Sequence, residues 1–211
     1  FEAKKIKYSE ALRLQSEREQ RQLAAKHAAA AAARNALTTE DRYYLGLLHW
    51  IAENLDGTSD ALKKYLAAGD AATDKAQTAR SIIAVVAAKQ RRFDDAAAMI
   101  AEYLKNSPVK LSDRVRMEIE LAKAYFSDKK FAEAAAHSSE AYKAAKAVLL
   151  DSGATQRGLD ETLDAAMQLF ESRRALGDQN EADAALVDLR AAAASVGNAS
   201  MYAYAADKLV V

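Results

Sequence analysis

The chain has 211 residues, 51% of them hydrophobic and 28% charged, with 30 lysines and arginines set against 30 aspartates and glutamates. That balance supplies no global field for nucleic acid or an anionic membrane, the absence of cysteine excludes a disulfide framework and a thiolate nucleophile, and no apolar run is long enough to span a bilayer. Alanine supplies about a quarter of the residues, while one proline and seven glycines leave little to interrupt helices, so composition predicts an all-α protein.

Residues 1–36 contain long-chain helix formers and an alanine run, with neither proline nor glycine, which predicts one long N-terminal helix. Its apolar residues Ile6, Tyr8, Leu12, Leu14 and Leu23 keep no steady heptad, so it reads as a solvated capping helix or spacer and not as a coiled coil. Thr38 opens the next helix, with Asp41 three residues on in a capping-box arrangement and Tyr44, Leu45, Leu48, Ile51 and Ala52 in its buried stripe. Asp56-Gly57 is expected to stop it. A short second helix through Ala61, Leu62, Tyr65 and Leu66 is then expected to end on a left-handed Gly69.

Residues 76–106 read as a complete helix, tight turn and helix. Ile82, Ile83, Val86 and Ala87 share one helical face, and Phe93, Ala96, Ile100 and Leu104 share another beyond Gln90. Asp94 and Asp95 sit in the second helix's first turn, where the macrodipole favours carboxylates, and Pro108 stops it. A third pair is predicted over 112–148 with its turn at Asp128 to Lys130, and a fourth over 159–196 with its turn at Leu176-Gly177-Asp178. A last helix from Ala199 to Leu209 would cover the open end. Aligning the turns sets Ala61, Ala96, Ala134 and Ala182 as equivalent small residues where paired helices cross.

These stretches resemble tetratricopeptide repeats, whose pattern is W-x2-L-G-x2-Y, then A-x3-F, then P. Ile83, Ala84, Phe93, Ala96, Ile100 and Pro108 fall on family positions in the second pair, as do Leu121, Ala122, Tyr125, Phe131 and Ala134 in the third. Arg80 and Glu118 stand where the tryptophan would be, and Ala87 replaces the second pair's tyrosine. The resemblance implies a right-handed α-solenoid of antiparallel helix pairs, roughly ten helices in all. A long helix would occupy 1–36, the array 37–197 and a capping helix 198–211.

No catalytic constellation is legible. His27, His49 and His137 lie far apart, none with a convincing carboxylate partner three or four residues away, and there is no phosphate-cradling glycine loop, nucleophile elbow or dinucleotide fingerprint. Asp94-Asp95 and Glu118 with Glu120 read as solvated charges and caps. No cofactor, metal or nucleic acid is expected. The family's concave face, lined by the first helix of each pair, would here include Tyr43, Trp50, Lys89, Arg116, Lys123, Phe126, Glu171 and Arg174. Its aromatic residues would anchor an apolar segment and its basic residues a carboxylate or an acidic peptide. The expectation is therefore a non-enzymatic module that binds a protein segment in its groove. The apolar finish of the chain at Val211 also predicts continuation beyond it, and the alanine-rich helices are similar to N-terminal regions of some exported thioredoxin-like thiol-disulfide oxidoreductases. That resemblance implies an accessory domain of a longer enzyme.

Overall fold

A computed structural model describes residues 9–69, 72–152 and 155–209. Ten helices follow one another, with no strand among the described residues: α1 (Glu10–Ala32), α2 (Thr39–Ile51), α3 (Leu55–Ala68), α4 (Asp74–Lys89), α5 (Phe93–Lys105), α6 (Leu111–Ser127), α7 (Phe131–Ser152), α8 (Gln156–Leu176), α9 (Gln179–Ser195) and α10 (Ala199–Lys208). They fall into two compact units, one holding α1 to α3 and the other α4 to α10.

In the N-terminal unit α1 packs on α2 and α2 on α3. Only Ala24 and Ala28 of α1 are buried, and Leu12, Leu14 and Leu23 are exposed, so its first half stands in solvent, laced by Arg13 to Glu10 and Glu17 ion pairs. Residues 1–8, with Ile6 and Tyr8, lie outside the described residues. Thr38 and Asp41 form the expected capping box: Thr38 Oγ1 accepts from the Asp41 amide at 3.1 Å, and the Asp41 carboxylate accepts from the Thr38 amide at 3.0 Å. The hydroxyl and amide of Thr38 hold the Asp41 carboxyl below its ordinary range.

The first turn falls earlier than Asp56-Gly57. It occupies Ala52 to Asn54, Glu53 takes the left-handed conformation (φ 58°), and Asn54 caps α3 by accepting from the Gly57 amide at 3.0 Å. Gly57 is therefore inside the first turn of α3, and it is glycine because a Cβ there would lie 2.8 Å from His49 and from Asn54. Gly69 does end α3, but extended (φ −103°) and not left-handed.

The same turn recurs down the chain. Arg91 (φ 58°), Lys129 (φ 60°), Gly177 (φ 82°) and Gly197 (φ 68°) each occupy its left-handed position, two residues before the next helix begins. Each turn closes with the same two bonds, as in Arg91 N to Ala88 O and Arg92 N to Ala87 O, matched by Lys129 N to Phe126 O and Lys130 N to Tyr125 O. Glu53, Arg91 and Lys129 are 38 residues apart. On that register the partner of Ala96, Ala134 and Ala182 is Thr58, and not Ala61; all four are fully buried and donate their amide to the carbonyl four residues back across the helix start. Gly46, Ala84 and Ala122 also share the spacing, and a Cβ at Gly46 would come within 2.4 Å of Leu62.

A side chain in left-handed geometry costs roughly 1–2 kcal/mol, partly offset by the greater freedom glycine has when unfolded. Among the described residues Lys129 makes no ion pair, so Lys129→Gly is expected to stabilise the protein by about 0.5–1 kcal/mol, read as a higher urea midpoint at unchanged slope. No gain would mean that the turn carries no strain at this position.

In the C-terminal unit the pairs α4–α5, α6–α7 and α8–α9 stack in order, α10 closes on α9, and the first helices touch in series, α4 on α6 and α6 on α8. This is a solenoid-like arrangement. Every residue of α4 from Ala76 to Ala88 except Thr78 is buried, polar Gln77, Arg80 and Ser81 included, so this helix is enclosed all round. A second core runs through Val115, Leu149, Phe170, Leu186, Leu189 and Met201.

Candidate interaction surface on the first helices

α6 and α8 lie side by side and bury opposite stripes, Met117, Leu121 and Ala122 on one, Ala165, Ala166 and Phe170 on the other. What remains outward on α6 is Asp113, Arg116, Glu120 and Lys123, and on α8 Arg157, Asp160, Asp164, Glu171 and Arg174, spaced at three, four and seven so that each set shares one face. Lys123 Nζ reaches across from α6 to Asp164 Oδ2 at 2.7 Å. Arg116 Nη2 donates to Ser81 Oγ on α4 at 2.7 Å and lies 3.7 Å from Asp113. Arg157 pairs with Glu161 at 2.7 Å, and that carboxylate's hydrogen bond and charge push the guanidinium pKa up. Arg116, Lys123 and Arg157 are thus each matched to an anion, whereas Arg174, exposed three residues beyond Glu171, lies against the Phe170 ring.

Of the eight residues expected on the groove, the structure gathers Arg116, Lys123, Glu171 and Arg174 on this face. Tyr43 is buried in the N-terminal unit, its ring 5.1 Å from Tyr65 and 5.4 Å from Tyr44, and Trp50 is half-buried in the same unit. Lys89 is exposed at the end of α4, Phe126 tilts against Phe131 at 5.2 Å beside the α6–α7 turn, and the Arg174 guanidinium lies 5.3 Å from the Phe170 ring.

A polar network that linear spacing did not reveal ties the stack together. Glu118 is not a solvated charge: it is only 4% exposed, with one carboxylate oxygen 2.7 Å from His137 Nδ1 on α7 and the other 4.0 Å from Arg114 Nε. His137 therefore does have a carboxylate partner, supplied by the preceding helix 19 residues away. Its ring stacks on Tyr125 at 5.5 Å, and Tyr125 stacks on Phe93 at 4.3 Å, joining the second pair to the third. Beside this rack an open depression of about 580 Å³ is lined by Arg91, Phe93, Asp94, Lys130 and Glu133; burial, then the charges of Asp94 and Glu133, pushes the Tyr125 phenol up. On α4, Gln77 Nε2 donates to the carbonyls of Tyr103 (3.0 Å), Asn106 (2.8 Å) and Pro108 (3.0 Å), while its Oε1 accepts from Arg80 Nη1 at 3.0 Å. Between α7 and α9, Lys146 binds Asp188 at 2.6 Å beside the buried Tyr142, whose phenol is pushed up by burial and by that carboxylate. Among the described residues no group of three or more histidines and carboxylates is arranged to hold a metal, and no helix is long and apolar enough to cross a membrane.

No family model matches the chain, and no curated protein matches it. Its fold is similar to that of a solved structure, BtubC (BKLC) from P. vanneervenii, at a TM-score of 0.56 and 17% sequence identity, over 86% of this chain and 75% of that one. At that identity the likeness concerns the fold alone.

Proposed function

We propose that the chain is a non-enzymatic interaction module built of tetratricopeptide-like helix pairs, which binds a segment of a partner protein along its first-helix face. The 38-residue register supports the repeat reading: a small residue in the first helix (Gly46, Ala84, Ala122), a left-handed turn, then a buried small residue (Thr58, Ala96, Ala134) in the second. The observation that carries the binding reading is the face itself. α6 and α8 present charged side chains along two adjoining helices while the apolar side chains beneath are buried, which suits an extended segment better than an enclosed small molecule.

The test is site-directed photocrosslinking in the native source. A photoreactive phenylalanine in place of Ser127 or Gln168, at the borders of this face, is expected to yield a discrete protein adduct, whereas one in place of Leu150, exposed on α7, is not. Adducts of equal yield and identity from all three positions, or none from the first two, would sink the reading.

A further inference from the structure

The row of first helices closes up from α4 through α6 to α8, but not at its end. α10 packs on α9 and sends Met201 and Ala205 into the core, and between it and α8 a cleft of about 420 Å³ stays open. Its walls are two helical faces, Leu159, Asp160 and Leu163 on α8 and Met201 and Tyr204 on α10. Leu159, Leu163 and Met201 also pack into the core of this unit, so the floor of the cleft continues that core. Met201 is buried, the two leucines are half-buried and Tyr204 is exposed. Apolar walls open to water gain free energy when an apolar group displaces it, and the volume lies within the roughly 300–1,000 Å³ of ligand clefts.

Resting on the reading above, we infer that this cleft takes the anchor of the bound segment, a bulky apolar side chain with a lysine or arginine beside it. The apolar part follows from the walls. The basic part follows from the rim: among the described residues that line the cleft Asp160 alone is charged, the others there, Gln156, Asn198 and Ser200, being neutral. Asp160 accepts from Gln156 Nε2 at 2.7 Å and pairs with no cation among the described residues. Arg157, one turn back on α8, is held by Glu161 at 2.7 Å, and Lys208 of α10 lies over the Tyr204 ring, 5.8 Å from its centroid. A basic residue beside the anchor therefore meets a carboxylate with no ion pair to break, whereas an acidic one meets a like charge. Asp160 also belongs to the outward face of α8, so a segment running along that face passes the mouth of the cleft.

The experiment uses the whole chain and the blocked dipeptide N-acetyl-phenylalanyl-lysine amide, read by amide chemical shifts in nuclear magnetic resonance at low salt, where an exposed carboxylate is least screened. Binding on the order of 1 mM is expected, with the amides of residues 156–163 and 198–204 shifting together. The alanyl-lysine probe is expected to bind at least tenfold more weakly, and the phenylalanyl-glutamate probe at least threefold. Ser200→Phe, which fills the cleft from its rim, is expected to weaken the phenylalanyl-lysine probe tenfold or more, and Ala184→Phe, exposed on α9, to change it less than twofold. Asp160→Asn is expected to erase the preference for lysine over glutamate. No shift at those amides, equal shifts with the alanyl probe, or equal effects of the two phenylalanine variants would overturn the inference; an Asp160→Asn protein that still prefers lysine overturns its basic part. Crosslinking at Gln168 separates the cleft from the interaction reading. Undiminished adducts in the Ser200→Phe protein overturn the cleft assignment alone, and absence of any adduct from the unfilled protein removes the reading beneath it.

Discussion

Replacing Gln77 with leucine is expected to cost about 3 kcal/mol of stability, although the two side chains are similar in size and the site is an alanine-rich helix interior. Gln77 is 1% exposed and its amide group is the shared donor for three main-chain carbonyls in the segment from Tyr103 to Pro108, which leads from α5 into α6. That segment has few other ties: Tyr103 accepts from the Lys110 amide at 2.8 Å, and Asn106 bonds back to Glu102. Leucine would strand the buried carbonyls and take away the oxygen that receives Arg80 Nη1. Urea unfolding followed by far-ultraviolet circular dichroism measures the loss. A change below about 1 kcal/mol would mean that water replaces the amide at no cost and that Gln77 is not the clasp described here.

Glu118 is the second site of large effect, and here two substitutions are needed to separate charge from volume. Glu118→Leu removes an acceptor from the His137 Nδ1–H and a counter-charge from Arg114, and breaking a buried pair on one side costs about 3–5 kcal/mol. The Arg114 guanidinium retains Glu140, which places the expected loss near the lower figure, about 3 kcal/mol. Glu118→Gln keeps an oxygen for His137 and fills the same space, so its cost is expected to be about 1–2 kcal/mol. Equal losses for the two variants would show that packing, and not the carboxylate, holds α6 to α7.

The helices of the C-terminal unit were legible because their apolar stripes are regular and their ends carry signals that act locally, such as Gly177 at a left-handed turn. The register of the first pair was not, and the reason is chemical. Glycine at 57 reads as a helix stop, but here it relieves crowding by His49 and Asn54, while the left-handed position is held by Glu53, a residue type that announces nothing. Arg91 and Lys129 hide the recurrence in the same way. Turn alignment by sequence accordingly puts Ala61 where Thr58 belongs, an offset of three residues that lands on the same helical face.

The surface shows a similar division. Helical spacing was enough to set Arg116, Lys123, Glu171 and Arg174 on the outward faces of α6 and α8. It was not enough to show that Lys123 is paired, because its partner Asp164 lies 41 residues away and the contact depends on how two helices stack. Glu118 and His137, and Gln77 with its three carbonyls, are invisible for the same reason: their partners are neighbours in space only. The resemblance puts Tyr43 on the groove, whereas its ring packs on Tyr44 and Tyr65.

The stacking of α4 to α10, in which each helix meets only those one or two places along the chain, bears on how the protein comes into being. Contacts separated by so little sequence close small loops, and chains of low contact order fold in microseconds to milliseconds. A pair leaving the ribosome can dock on the one before it without waiting for the C-terminus, and in the finished molecule an end pair can open while the middle stays closed. The middle pair α6–α7 would then be the slowest segment to exchange its amide protons, and the lightly packed α1 among the fastest.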